Sequence, residues 1–175
     1  MSRIPYFDMT QVPAEYSAML GGRPPLNLYR MLPHAGPSAA TGFLKLGGAI
    51  LRDNALDSRL RELVILRVGM LSNASYEVHQ HRRVARKVGV SDEKIEAVAI
   101  GADAPVFDNT ERLILRFTDA VVHDVKAPPE LFDAVLARLD HRRMSELVLT
   151  IGYYMMVSRF LENFEVDIEP PGAVK

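Results

Sequence analysis

Apolar residues recur at helical spacing along residues 61–88, and this pattern predicts two consecutive helices. The first ends near residues 72–73, and the second begins near residues 74–76. On a wheel with about 100° per residue, the second helix has one mainly apolar arc and one charged arc. The apolar arc contains Glu77, Val78, His81, Val84, Ala85 and Val88, and the charged arc contains His79, Gln80, Arg82, Arg83, Arg86 and Lys87.

Two polar side chains lie on the arc that we expect to be buried. Glu77 and His81 are four residues apart, so they lie one helical turn apart on the same face. Burial of a charged group is costly unless the group is paired. Taken alone, a histidine on an apolar face is more often a core residue, so the pair is either a structural element or a functional site.

The preceding helix is apolar in almost every direction. Its apolar residues are Leu60, Leu63, Val64, Ile65, Leu66, Val68, Met70 and Leu71. A helix of this kind is buried inside a domain or an oligomer. Glu62 lies in it, and two helices joined by a short turn pack antiparallel. Glu62 could therefore reach the region of His81; the alternative is that it pairs with Arg59 or Arg67 on its own helix.

The rest of the chain adds helical patterns and no strand of period two. Asp57 or Ser58 is expected to cap the Glu62 helix, and Gly89 is expected to end the next helix. Asp108 and Glu111 have the spacing of a capping box. Further helices are predicted over residues 38–51, 91–100, 111–122, 130–139 and 141–162. The prediction is an all-α bundle of about six to eight helices.

We divide the chain into an irregular N-terminal arm (residues 1–37), a helical domain (38–164) and an irregular tail (165–175). Proline fixes φ and donates no backbone hydrogen bond, so we expect the arm to have only short helical turns, near residues 14–20 and 26–32. Because the arm carries apolar residues, it should pack on its own domain or on a neighbouring subunit. Its six prolines are Pro5, Pro13, Pro24, Pro25, Pro33 and Pro37.

Composition and charge narrow the classes of function. With 21 basic and 22 acidic residues, the net charge is −1, which gives no electrostatic support for binding nucleic acid or an anionic membrane. The chain has no cysteine, which excludes disulfides, thiolate catalysis and cysteine-ligated metals within it. Residues 147–157 are too short an apolar stretch to span a bilayer, and residues 1–10 lack the apolar segment of a signal peptide. We expect a cytoplasmic protein.

The motif resembles the carboxymuconolactone decarboxylase and alkylhydroperoxidase-D-like superfamily. In its peroxidase branch, a Glu on one helix is followed by Cys-x-x-Cys-x-x-x-His on the next. On this chain the Glu falls on Glu62, the cysteines fall on Ala74 and Glu77, and the His falls on His81. Many relatives outside that branch carry Tyr-Glu-x-x-x-His, which begins here at Tyr76.

The resemblance is closest over residues 42–99 and continues more loosely to residue 164. It implies a helical bundle that forms trimers or hexamers. It also implies a cofactor-free enzyme of the carboxymuconolactone decarboxylase type, which would carry out decarboxylation or proton transfer on a small lactone or carbonyl acid. His81 would be the general acid or base, Glu77 would orient it or share its proton, and Glu62 would be the second carboxylate. Tyr76 flanks the turn and is either a core residue or a candidate contact for the small-molecule substrate.

Two alternatives stay open. Peroxidase activity is a usual description of the family, but its mechanism needs a low-pKa thiolate and a resolving thiol. Neither Ala74 nor Glu77 can supply one. The chain could instead be a non-catalytic oligomer that binds a small ligand or a metal, with Glu62, Glu77 and His81 as ligands for Zn²⁺ or Fe²⁺. We expect no cofactor and no metal.

The remaining histidines and tyrosines have simpler interpretations. His79 lies on the charged arc and should be exposed to solvent. Two neighbouring tyrosines in the last helix, Tyr153 and Tyr154, are expected to belong mainly to the core. No partner can be assigned to His34, His123 or His141.

Overall fold

The structure, a computed structural model, describes residues 1–22, 26–170 and 172. Within these residues the chain is all-α, as the sequence predicts, with nine α-helices and two short 3-10 helices. The α-helices are α1 (Ala14–Leu20), α2 (Asn27–Met31), α3 (Pro37–Arg52), α4 (Ser58–Leu71), α5 (Ser75–Lys87), α6 (Asp92–Ala97), α7 (Asn109–Asp124), α8 (Pro129–Leu136) and α9 (His141–Phe164). The range of six to eight helices is too low because α1 and α2 add two helices within the arm.

Some of the predicted features fall outside the described part of the chain. Pro24 and Pro25 of the arm lie there, as do Pro171 and residues 173–175 of the tail. The described parts of the arm include the two predicted helical segments as α1 and α2, and a 3-10 helix at Leu32–Ala35.

Local signals set the helix boundaries that position the centre of the fold. Asp57, and not Ser58, caps α4, and its side chain accepts two backbone N–H groups of the first turn. Asp108 and Glu111 form the predicted capping box at the start of α7. Gly89, with a φ of 91°, lies directly after α5 and its C-cap residue, where a left-handed conformation favours glycine.

Helix α4 is the centre of the bundle. Nine consecutive residues of α4, from Arg61 to Gly69, are buried, and the helix packs against α5, α7 and α9. Its apolar side chains contribute to two separate core clusters. Val64, Ile65 and Val68 face the larger cluster with α9 and the arm, whereas Leu63 and Leu66 face the smaller cluster with α5 and α6. The apolar residues on all sides of α4 are therefore explained by its packing between the two core clusters.

The two ends of the chain meet beside α9. The backbone N–H of Arg3 donates to the carbonyl of Phe164 (3.0 Å). The hydroxyl of Tyr6 donates to the carboxylate of Asp167 (3.1 Å), and the Asp167 N–H donates back to the same hydroxyl (3.0 Å). Tyr16 of α1 is buried in the larger core cluster. The described part of the arm thus packs on its own chain.

Across the described ranges, none of the helices combines the length and the apolar character that crossing a membrane requires.

Candidate functional site

The structure brings Glu62, Glu77 and His81 together in one buried cluster. Nδ1 of His81 lies 2.7 Å from Oε2 of Glu62, and Nε2 lies 3.2 Å from Oε1 of Glu77. Glu62 comes from α4, and the other two residues lie one turn apart on α5. The imidazole therefore has a carboxylate at each of its two nitrogens.

The turn between α4 and α5 makes this meeting possible. Asn73 adopts a left-handed conformation with a φ of 53°, which asparagine tolerates better than most residues. The N–H of Ala74 donates to the carbonyl of Gly69 (2.8 Å), which is the bond pattern of a Schellman motif. The chain reverses in a few residues, so α5 runs back along α4 and its inner face meets Glu62.

Gly69 allows α5 to approach α4 closely at the level of Glu77. A Cβ atom at position 69 would lie 3.1 Å from a methyl group of Val78 and 3.3 Å from Cγ of Glu77. These distances are shorter than ordinary van der Waals contacts between carbon atoms. A glycine within a buried helix costs helix propensity, so the presence of Gly69 in the last turn of α4 is explained by the close approach of the two helices.

The cluster is almost entirely removed from solvent. The exposed fraction is 0% for Glu62, 3% for Glu77 and 9% for His81. Although Oε1 of Glu77 lies near the imidazole, it has no hydrogen-bond partner with good geometry among the described residues. Burial of a carboxylate without full hydrogen bonding favours its neutral form.

The surroundings shift the pKa of both groups on α5. For Glu77, burial raises the pKa, the imidazole of His81 lowers it and the charge of Glu62 raises it, giving a pKa of about 7. For His81, burial lowers the pKa. The hydrogen bond to Glu62 and the charges of Glu77 and Glu62 outweigh burial, so the pKa is raised. Because Glu77 and His81 interact strongly, their titrations are coupled.

The alternative that Glu62 pairs with Arg59 or Arg67 is wrong. Arg59 is near Asp57, and Arg67 forms a two-pronged ion pair with Asp119. Arg59 and Arg67 contact Asp57 and Asp119 because their side chains leave α4 in directions other than that of Glu62. A different arginine reaches Glu62: Nε of Arg61 lies 3.4 Å from Oε1, and both side chains are buried. This arginine offsets part of the negative charge of Glu62.

Sequence reasoning missed the aromatic residues that enclose the cluster. The ring of Tyr154 meets the imidazole of His81 edge-on, with ring centroids 4.9 Å apart. Burial, followed by the charges of Glu77 and Glu62, raises the Tyr154 pKa well above its ordinary value. The Tyr153 hydroxyl passes over Gly47 and donates to the carbonyl of Phe43 (3.1 Å). Both tyrosines are core residues, as predicted, but no local pattern placed Tyr154 against His81.

Tyr76 lies next to Glu77 on α5, but its hydroxyl makes its contacts outside the cluster. It donates to the carboxylate of Glu169 at 2.5 Å and accepts the backbone N–H of Leu28 at 3.4 Å. A surface pocket formed around Lys94 and Glu111 lies elsewhere, and none of the three cluster residues lines it. The three cluster residues are therefore buried from solvent, and Glu169 of the tail contacts their neighbour Tyr76.

The other candidate residues are placed separately from the cluster. His79 is exposed, as predicted. His34 contacts the carbonyl of Pro5 (2.9 Å), and His123 contacts the carbonyl of Asp119 (2.9 Å). In the described part of the chain, no group of three or more acidic or histidine side chains has an arrangement that could hold a metal ion.

Comparisons with known proteins identify a family and relatives with the same fold. Residues 37–120 match the carboxymuconolactone decarboxylase family. The uncharacterized protein YnjA of Escherichia coli (strain K12) is 33% identical over 122 residues, which span 67% of this chain and 64% of that protein. The chain thus matches slightly less than two thirds of the length of this relative. The uncharacterized protein YdfG of Bacillus subtilis (strain 168) is 22% identical over 103 residues, 58% of this chain and 70% of that protein.

Solved structures show the same fold at low sequence identity. The alkylhydroperoxidase AhpD core of an uncharacterized peroxidase-related protein from Ralstonia eutropha JMP134 superposes with a TM-score of 0.81 and 14% identity, covering 96% of this chain and 92% of that one. The debrominase Bmp8, in complex with 2,3,4-tribromopyrrole, gives a TM-score of 0.78 and 17% identity, covering 99% and 95%. By the match over residues 37–120 the chain belongs to the carboxymuconolactone decarboxylase family, and its fold is the one seen in the AhpD-like structures; the chain has no cysteine.

Proposed function

We propose that this protein is a cofactor-free acid–base enzyme of the carboxymuconolactone decarboxylase type, which transfers a proton or removes carbon dioxide from a small lactone or carbonyl acid. The observation that carries the proposal is the position of the His81 imidazole between two buried carboxylates. A general acid or base works best when its pKa lies near the working pH. The raised pKa of Glu77, about 7, meets that condition.

The two carboxylates have different roles in this proposal. Glu62 bonds Nδ1 of His81 and fixes the orientation of the ring, since a ring nitrogen that is bonded to a carboxylate is held as a donor. Glu77 faces the other nitrogen and has one oxygen with no hydrogen-bond partner among the described residues. Glu77 would accept the substrate proton and return it, and the protonated imidazole would stabilise the carboxylate form of Glu77.

Thiol-dependent peroxide reduction is not proposed. The reaction needs a thiolate that is oxidised and a second thiol that resolves it, and the chain has no cysteine. The descriptions of the structural relatives as peroxidase-related or as a debrominase stay with those proteins, because their identity of 14–17% to this chain supports a common fold alone.

The test is proton exchange at the carbon next to a carbonyl. Purified protein is incubated in D₂O with acetoacetate and with a carboxylated γ-lactone, and deuterium incorporation and carbon dioxide release are followed by NMR. If the cluster is the acid–base site, His81→Asn and Glu77→Gln should each lower the rate by roughly 10²–10⁴-fold. His79→Asn is the matched control, because His79 is on the same helix and exposed.

Two results would contradict the proposal. One is turnover by His81→Asn or Glu77→Gln at the wild-type rate, with both variants shown to be folded by circular dichroism. The other is a wild-type protein that binds these probes and exchanges no proton, which would favour the non-catalytic ligand-binding alternative.

A further inference from the structure

The carboxylate of Glu169, in the tail after α9, lies in a cradle of hydrogen-bond donors. Its Oε1 accepts the backbone N–H of Asn27 (2.6 Å) and the hydroxyl of Tyr76 (2.5 Å). Its Oε2 accepts the side-chain amide of Gln80 (2.5 Å). The N–H of Leu28 donates to the Tyr76 oxygen, which leaves the hydroxyl proton directed to Glu169. We call Asn27, Tyr76 and Gln80 the carboxylate cradle.

The carboxylate cradle adjoins the acid–base cluster. One ridge of α5 carries Tyr76 and Gln80, which are four residues apart. The adjacent ridge carries Glu77 and His81, because each of these residues follows directly in the sequence. The cluster itself is closed to solvent. A small ligand that reaches it must displace a neighbouring group, and Glu169 of the tail is bound to the adjacent ridge of Tyr76 and Gln80.

We propose that the carboxylate cradle is a binding subsite for a small organic carboxylate, and that Glu169 occupies it as a tethered substitute in the unliganded protein. The segment 168–170 then acts as a lid that the ligand displaces. The inference deepens the proposed function and rests on it, because the subsite would hold a ligand carboxylate beside Glu77 and His81.

The contacts of the tail show where such a lid would bend. Asp167 is anchored on both sides: its side chain bonds Tyr6, and its carbonyl accepts the side-chain amide of Asn27 (2.8 Å). Beyond this anchor, Ile168 is 41% exposed and does not belong to the core. Besides its bonds in the cradle, Glu169 makes no side-chain hydrogen bond with the described residues. Displacement of one carboxylate would therefore release the segment while Asp167 stays in place.

The test is the binding of propionate, which has the same carboxylate and methylene groups as a glutamate side chain. Binding to the full chain is followed by NMR at the backbone N–H of Asn27 and the side-chain amide of Gln80. A tethered carboxylate competes at an effective concentration of about millimolar or more. We therefore expect Glu169→Ala to bind propionate at least about tenfold more tightly than the wild type, because the charge-assisted bonds become available to it.

Glu165→Gln is the matched control, since this tail carboxylate pairs with Arg3 (2.8 Å) outside the cradle. It should keep the wild-type affinity, and addition of Gln80→Leu to Glu169→Ala should abolish the gain. If Glu169→Ala is poorly folded, Glu169→Gln keeps the size of the side chain and should show the gain in part.

Equal propionate affinity of the wild type and the folded Glu169 variants would overturn the inference. So would an equal gain in Glu165→Gln, or a gain that survives Gln80→Leu. The readout is binding and does not require turnover. A failure of the acid–base proposal would appear in the exchange assay with Glu77→Gln. A failure of the subsite would appear only in the propionate-binding experiment.

Discussion

His81 has a carboxylate at each ring nitrogen, and the two carboxylates are not equivalent. Glu62 is fully buried and lies at 2.7 Å with good hydrogen-bond geometry, whereas Glu77 lies at 3.2 Å without it. Arg61 reaches Glu62 as well, so Glu62 has two cationic or proton-donating neighbours and Glu77 has one. This asymmetry explains why a proton is more easily placed on Glu77, and it makes Glu77 the residue whose charge should respond to pH.

The stability of the folded protein should depend on pH through Glu77 and His81. The pKa values of Glu77 and His81 are both raised in the folded state, so between the unfolded and folded pKa values the native protein binds more protons. The free energy of unfolding should therefore fall as pH rises from about 5 to 8. For Glu77, a rise from 4.5 to about 7 corresponds to a loss on the order of 3 kcal/mol.

Urea denaturation at several pH values measures this effect. Glu77→Gln cannot ionise, so its curve of unfolding free energy against pH should be flatter than that of the wild type. Glu162→Gln, on the exposed surface of α9, should keep the wild-type slope. An unchanged slope in Glu77→Gln would show that Glu77 does not titrate in this range.

At the scale of elements, the site depends on how closely α4 and α5 approach. The Schellman turn at Asn73 reverses the chain, and Gly69 removes the side chain that would separate the helices at Glu77. The spacing between the helices therefore sets the distance between Glu62 and His81. A change in this spacing should affect both stability and the proton equilibrium of the cluster.

Gly69→Ala tests this dependence. Alanine normally stabilises a helix by about 1 kcal/mol relative to glycine, and Gly42→Ala, on the exposed side of α3 with no atom near its Cβ position, should show that gain. At Gly69, overpacking against Val78 and Glu77 should cost about 1–3 kcal/mol, so the net change should be destabilising. Equal stabilisation of both variants in urea denaturation would mean that the helices separate without cost.

At the scale of the whole molecule, α9 has an apolar face that the described residues leave exposed to solvent. Val148, Leu149 and Met156 are 41%, 55% and 46% exposed, and their spacing places them on one side of the helix. The other side of α9 packs in the larger core cluster. Contiguous apolar residues on a helix surface are typical of an interface between proteins, and we propose that this face joins copies of the chain in a trimer or hexamer.

Light scattering after size-exclusion chromatography tests the assembly. The wild type should have three or six times the chain mass of 19.5 kDa, and Leu149→Glu should give the single-chain mass because it would bury charges in the interface. Ile100→Glu, at an exposed apolar residue away from α9, should assemble as the wild type does. A monomeric wild type, or an unchanged Leu149→Glu oligomer, would contradict the proposed interface.

The spacing of residues along the chain was enough to predict much of this protein. Apolar periodicity, capping residues and glycine positions predict the helices from α3 to α9 in order, because these signals act within a few residues. The same local geometry places Glu77 and His81 on one helical face, and the short turn after α4 directs Glu62 to them. The all-α class and the Glu77–His81 pair follow from geometry of this short range, whereas spacing alone left Glu62 the alternative of pairing with Arg59 or Arg67.

Contacts between distant segments could not be predicted in this way. Tyr154 lies against His81, and Glu169 lies in the cradle formed by Asn27, Tyr76 and Gln80. Each of these contacts joins residues more than seventy positions apart in the chain, as the numbering shows. No helical period relates such positions, and only the packing of α9 and the tail across α5 brings them together. The acid–base pair is thus a local property of the sequence, whereas its enclosure and the closing tail are properties of the tertiary fold.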